Sequence, residues 1–259
     1  MIRKFILLST LSNRLDMLKT CIPSIKKYSP GWHLVVVAQE FNDQQMVELK
    51  SLIKSDYTII SKDSKLGMHT AKVIGLEWIK AYSEIPYVVC SVDDDMEFLE
   101  ETDLRTPVEW LFENKSIGLL SLGWVNHRSK LEKQKRKNEL VEQIIVYTGG
   151  GLLFRDDVAD LIIELGKKDL WCDNTEWSLA AYLKGYTNYR WRGSITIHHV
   201  CSTGGRRSWA VIQDRILPDS KYVNVREGSP RFKEPNNYLI PTDKDVTKYT
   251  KQIHERNRR

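Results

Sequence analysis

The sequence predicts an α/β fold in which a mainly parallel central sheet is covered by helices. Three observations carry this. The first hundred residues alternate apolar runs with segments of helical periodicity. The apolar runs are continuous rather than alternating, as in strands buried on both faces. The chain has 259 residues, 41% hydrophobic and 28% charged, enough for a sizeable core, yet no segment approaches membrane-spanning length.

Taken in order, Phe5–Leu8 reads as a buried strand that ends in Ser9-Thr10. Residues 13–28 carry apolar positions at helical spacing, with Pro23 expected to kink the helix and Pro30-Gly31 to turn the chain. Leu34–Ala38 is a second strand. Asp43–Lys54 is a helix with Met46, Leu49, Leu52 and Ile53 on one face. Tyr57–Ile60 is a third strand, Gly67–Tyr82 an amphipathic helix and Tyr87–Val92 a fourth strand. In parallel sheets ligands bind at the carboxyl ends of strands. Ser9-Thr10, Gln39-Glu40 and Asp93-Asp94-Asp95 occupy those ends. Neither G-x-G-x-x-G nor G-x-x-x-x-G-K-[ST] occurs.

The second half is less regular. Pro107–Glu113 reads as a helix, Ile117–Trp124 as a strand and 128–139 as a charged stretch without periodicity. Gln143–Tyr147 is read as a strand leading into Thr148-Gly149-Gly150-Gly151. Asp156–Gly166 and Thr175–Lys184 are read as helices, the second stopped by Gly185. Ile195–Ile197 is a strand ending in His198-His199. From Pro218 the rising Pro, Asn, Lys and Asp content reads as an extended tail.

The first apolar run, Phe5–Leu8, is too short for the core of a signal peptide. Cys21, Cys90, Cys172 and Cys201 are widely spaced, without a Cys-x-x-Cys motif. They read as reduced, buried thiols rather than a zinc site, which places the protein in the cytoplasm.

The chemistry concentrates in Ser91-Val92-Asp93-Asp94-Asp95-Met96-Glu97-Phe98. Three carboxylates at the end of a buried strand repel one another unless a counterion intervenes. On an extended segment Asp93 and Asp95 point to one side. They can then share a hard cation, Mg²⁺ or Mn²⁺, which bridges to a diphosphate. The plainer reading is an acidic turn that caps the following helix.

These residues resemble the Asp-x-Asp motif of GT-A fold glycosyltransferases, and the likeness extends over residues 3–205. The resemblance implies a nucleotide-sugar donor, a divalent metal and a Rossmann-like donor-binding fold. It implies that Thr10, Asn13 and Arg14 lie in the first loop near the nucleotide, and that Glu40 contacts its base or ribose. Lys65, Gly67 and Lys72 resemble the turn and helix that approach the ribose and diphosphate, with Asp94 among the donor-binding residues. Gly149, Gly150 and Gly151 resemble the glycine turn beside the donor sugar. Asp93 and Asp95 match the metal motif, and His198 or His199 resembles the late histidine of the metal site. Strand alternation sends those two rings to opposite faces, so one of them reaches the metal, His199 being preferred.

Asp173-Asn174-Thr175-Glu176-Trp177, followed by Gly185-Tyr186, resembles the acidic segment with the catalytic base of inverting members. The family's acidic pair reads Asp-Asn here, so the base is Asp173 or Glu176. A carboxylate at a helix N-terminus is kept ionised by the dipole, which suits Asp173, although an N-cap is the plainer role.

Lys and Arg exceed Asp and Glu by 39 to 34, a formal charge of +5. The surplus is polarised. Lys130, Lys133, Lys135, Arg136 and Lys137 form one basic group, Arg206-Arg207 with Trp209 a second, and the C-terminus, with Lys248, Lys251 and Arg256, a third. Basic groups beside an aromatic suit a nucleic-acid backbone and a stacked base. The family includes small members without membrane anchors that glycosylate hydroxymethylated bases of phage DNA. The expected acceptor is therefore such a base, in bacterial or phage-infected cytosol, with Arg206, Arg207, Trp209, Lys135 and Arg136 on the acceptor side. A glycan acceptor is the alternative. A nucleotidyltransferase would have a glycine-rich loop after the first strand, where this chain has Ser-Thr-Leu-Ser-Asn-Arg. A non-catalytic nucleic-acid-binding module would leave the three aspartates unexplained. The expected organisation is one domain over 1–217, its donor half about 1–100 and acceptor half about 101–217, with a basic tail over 218–259.

Overall fold

The computed structural model describes residues 2–100, 102–125, 141–144, 151–166 and 173–199. These belong to one unit, residues 1–200. The expected domain boundary at 217, the charged stretch and the tail lie outside the described residues.

The elements run β1 (Arg3–Leu11), a 3₁₀ turn (Ser12–Arg14), α1 (Leu15–Tyr28), β2 (His33–Gln39), α2 (Asp43–Ile53) and β3 (Tyr57–Lys62). Then follow α3 (Met68–Tyr82), β4 (Tyr87–Val92), β5 (Met96–Phe98), α4 (Arg105–Glu113) and β6 (Ile117–Val125). The last are β7 (Val141–Ile144), β8 (Leu152–Arg155), α5 (Asp156–Glu164), α6 (Asp173–Leu183) and β9 (Thr187–His198). The sheet order is β3-β2-β1-β4-β8-β6-β9-β5, with β7 on β9.

The first four strands in that order are parallel, as the continuous apolar runs predict. The rest is mixed in its pairings, but β6 and β9 keep the direction of the first four, so the described sheet is mainly parallel as expected. β8 is antiparallel to β4 and β6, while β9 is parallel to β6 and antiparallel to β5 and β7. β5 and β8 were not expected. Each is only three or four residues long, and its pairing partner lies far away in sequence. β9 starts at Thr187 rather than Ile195, because its polar first half is fixed by pairing with β6 and β7. The expected helix over 13–28 begins with the 3₁₀ turn, and Pro23 sits inside α1.

Alternation in the buried strands divides the core into two layers. Ile6 and Leu8 face the layer with Leu18 and Ile22 of α1, Leu49 of α2 and Leu111 of α4. Phe5 and Leu7 face the layer with Leu76 and Ile79 of α3, Ile162 of α5 and Trp177 of α6. Two buried polar groups tie these layers down. Arg155 donates to the carbonyls of Leu111, Ile117 and Lys115, which satisfies the chain ends between α4 and β6. Ser24 of α1 accepts from the Phe98 amide at 3.0 Å and fixes β5 to α1.

Helix α6 lies close on β6 because Gly118 has no side chain. A Cβ there would sit 2.8 Å from Tyr186 Cβ, 2.9 Å from Asn188 Oδ1 and 3.0 Å from Ala181 Cβ. Asn188 cannot yield freely, since it accepts from Leu119 N and donates to Ser178 O. Gly118→Ala is therefore expected to lower stability by about 1–3 kcal/mol through overpacking. A urea midpoint equal to that of the wild type would contradict this close approach.

Candidate active site

β1 runs three residues beyond its last pairing with β4, where Leu8 faces Val92. Ser9, Thr10 and Leu11 therefore lie alongside the chain that leaves β4. That chain forms a tight turn closed by Met96 N to Asp93 O at 3.2 Å, after which β5 begins. The three aspartates are thus on a turn, not on the extended segment that would send Asp93 and Asp95 to one side. The turn also leads into a strand and not into the helix that the capping reading required.

Each carboxylate has a basic partner. Arg14 grips Asp94 through Nε at 3.0 and 3.1 Å and through a terminal nitrogen at 2.5 Å. The same nitrogen reaches Asp95 Oδ2 at 3.1 Å. Thr10 donates its hydroxyl to Asp94 at 3.0 Å. Lys72 Nζ lies 3.3 Å from Asp93 Oδ1. Asp94 and Asp95 are almost wholly buried, and Lys72 is as well.

Burial pushes the Asp94 carboxyl above its ordinary range, against the pull of Arg14 and Thr10. Burial alone would lower the Arg14 guanidinium, but Asp94 and Asp95 outweigh it and hold Arg14 protonated. Behind the turn, the fully buried Cys21 thiol sits 3.8 Å from Asp93 O. Burial raises its pKa far above the ordinary thiol value, and the charges of Asp94 and Asp95 add to this, so it stays protonated.

β9 brings the late histidines to the same place. Its pairing with β5 sets His198 opposite Met96. The His199 amide donates to Asp95 O at 2.8 Å, and its ring nitrogen Nε2 lies 2.9 Å from Glu97 Oε2. The donor chemistry here fits a hard cation: carboxylate oxygens, a partly exposed Asp93 and one net negative charge after Arg14 and Lys72 are counted. Among the described residues no group of three or more His, Cys, Asp or Glu side chains is already gathered around one point.

The remaining expected residues are distributed as follows. Asn13 is exposed in the 3₁₀ turn, and Lys65 is exposed before α3. Glu40 is exposed with a left-handed backbone, φ +61°, its amide donating to Lys62 O. Its neighbour Gln39 is buried and bridges Ser9 Oγ and the Leu66 amide, so it holds the approach to Gly67. Gly67 itself has φ +82° at the N-terminus of α3, a backbone that favours glycine. At Gly151, which leads into β8, a Cβ would meet Leu122 Cδ1 at 2.8 Å. Asp173 and Glu176 both lie in the first turn of α6. Gly149, Gly150, Lys135, Arg136, Arg206, Arg207 and Trp209 lie outside the described residues.

Among the buried polar side chains near the site, Gln39, His69 and Trp177 make contacts to which the sequence assigns no role. For His69 a signal existed. It shares one helical face with Lys72, Val73, Leu76 and Ile79, and polar residues on an apolar face need buried partners.

No protein-family model matches the chain, and no curated protein matches it. Solved structures do. The mannosyltransferase PcManGT from Pyrobaculum calidifontis, in complex with GDP-Man and Mn²⁺, matches with a TM-score of 0.62 at 14% identity, over 98% of this chain and 74% of that one. GalNAc-T7, with UDP, GalNAc and Mn²⁺, matches with a TM-score of 0.59 at 15% identity, over 78% of this chain and 45% of that one. The chain has the mixed α/β fold of these GT-A glycosyltransferases.

Arg14→Leu is expected to cost about 3–5 kcal/mol, because it leaves buried Asp94 without its counter-charge. Adding Asp94→Asn should recover part of that loss. Strictly additive effects in denaturant unfolding would show that the pair is not coupled.

Proposed function

We propose that the protein is a metal-dependent glycosyltransferase that moves a sugar from a nucleotide-sugar donor to an acceptor hydroxyl. The observation that carries this is the acidic turn Asp93–Asp95 at the carboxyl end of β4, with Arg14 and Lys72 beside it, in a GT-A fold. The neighbours' complexes with GDP-Man or UDP and with Mn²⁺ support the same reading.

Asp93 and Asp95 would hold Mn²⁺ or Mg²⁺, with His199 or His198 as a further ligand. When bound, the cation supplies neutralisation of the departing diphosphate. Lys72, Arg14 and Lys65 are the cationic side chains for the diphosphate. Thr10, Asn13, Asp94 and Glu40 flank the nucleoside, and the Gly67 turn lets the donor approach the backbone. Asp173 or Glu176, in the first turn of α6, takes the proton of the acceptor hydroxyl.

The acceptor proposed is a hydroxymethylated base in DNA. Its support is the charge pattern of the sequence: Lys135 and Arg136 in one basic group, Arg206 and Arg207 beside Trp209 in another. Among the described residues no helix is long and apolar enough to cross a membrane.

A screen of nucleotide-sugars with Mn²⁺ should find one that is turned over. Asp95→Ala should cut that turnover by on the order of a hundredfold or more and remove metal-dependent binding of the nucleoside diphosphate by calorimetry. No turnover of any donor would sink the transferase reading. For the acceptor, duplex DNA should be shifted in gels at low salt and released as salt rises. Binding that is absent at low salt, or insensitive to salt, would rule out DNA and leave a glycan acceptor to be tested.

A further inference from the structure

His69 is a buried histidine with both ring nitrogens engaged, and its partners fix its state. It stands in the first turn of α3, only 1% exposed. Its Nδ1 lies 3.0 Å from Trp177 Nε1, and an indole N–H can only donate. Its Nε2 lies 2.8 Å from the carbonyl of Gly166, which can only accept. The imidazole is therefore neutral, with its proton on Nε2, and both bonds would be lost in the other tautomer.

The two partners stand at either end of the segment that enters α6. Gly166 closes α5, and Trp177 lies one residue after Glu176 and four after Asp173. One side chain thus pins the chain before and after both carboxylates considered for the base. Trp177 is fully buried, its ring packed edge-on against His69 at 6.0 Å and Phe154 at 5.9 Å between centroids. Lys72, one turn along α3 from His69, places Nζ 5.5 Å from the Trp177 ring centre and 3.3 Å from Asp93 Oδ1. A continuous set of contacts therefore joins the acidic turn to α6: Asp93, Lys72, Trp177, His69 and Gly166.

A hydrophobic pair would fill this volume without the cost of burying polar atoms. What the polar pair adds is direction. Apolar packing tolerates sliding, whereas the directed bond from Trp177 holds α6, and the bond to the Gly166 carbonyl holds the end of α5, in one register against α3.

We propose that His69, through Trp177, is a positioning residue for the sugar transfer: it sets the base-bearing first turn of α6 relative to the acidic turn that Lys72 contacts. This rests on the transferase reading above. His69 itself touches neither donor nor acceptor. Its effect falls on the geometry between the acceptor hydroxyl and the carboxylate, to which rates are steeply sensitive.

The test uses the full chain, with the donor found in the screen. Trp177→Phe keeps an aromatic ring beside Lys72 but removes the N–H together with the rest of the five-membered ring, and His69→Leu keeps a similar volume and deletes both bonds. Each variant is expected to lower kcat by on the order of 10- to 100-fold. The KM for the donor and the affinity for the nucleoside diphosphate should stay within about twofold. The double variant should be no slower than the slower single one, since the bond that Trp177→Phe removes is already lost in His69→Leu. The pH profile of kcat should also shift in the variants, because the base changes surroundings, and a merely structural loss would leave its shape alone.

If wild-type protein turns over the donor but the variants keep kcat, the positioning role is overturned while the transferase reading stands. If kcat, donor affinity and melting temperature fall together, His69 is only a packing residue and the proposal fails. If the wild type turns over no donor, both fall.

Discussion

Three adjacent carboxylates at the end of a buried strand are the constraint around which the rest of this protein is arranged. Asp94 and Asp95 are out of contact with water, so their charge must be met from within the chain. The fold meets it from both sides of the sheet. Arg14 comes from the turn that opens α1, on one face, and Lys72 from α3, on the other. Neither cation could arrive without its helix being packed on the strands that flank β4. Charge compensation at the site and burial of the two core layers are therefore parts of one arrangement. The turn keeps a net negative charge, which suits a cation and a diphosphate arriving together.

The parallel half of the sheet was legible because its physics is local. Leu34–Ala38 and Tyr87–Val92 are buried on both faces, and an unbroken apolar run declares that directly. Strand ends were not legible. Arg3 and Lys4 look like a polar N-terminus, yet they pair with Tyr87 and Val88. β8 was hidden because Arg155, fully buried, reads as a surface residue until the three carbonyls it serves are known. The first half of β9, with Asn188, Arg190 and Arg192, looks like a loop and becomes a strand only beside β6 and β7.

The candidate site divides in the same way. Asp93–Asp95 stood out because charge after an apolar strand is costly wherever it occurs. Arg14 and Lys72 are marked in the sequence only by the family resemblance, as neighbours of the donor; that they pair with these aspartates was not legible, since many residues separate them and basic side chains are usually solvated. The expectation that Asp93 and Asp95 point one way assumed an extended chain, and a single hydrogen bond from Met96 to Asp93 replaces it with a turn. Glu40 was chosen over Gln39 for its charge. In the fold the amide of Gln39, able to donate and accept at once, is the group that bridges two strand ends and the start of α3.

The pairing of β5 with β9 has a consequence in time. β5 follows the acidic turn at once, but its partner is the last described strand, about a hundred residues later. During synthesis the chain emerges from its N-terminus, and β1 to β4 can pair among themselves as soon as they are out. Arg14 and Lys72, the cations that face the turn, precede it in the chain, while the strand that carries His198 and His199 is made last among the described ones. Both counter-charges of the acidic turn are therefore synthesised before it, and the strand that pairs with β5 after it.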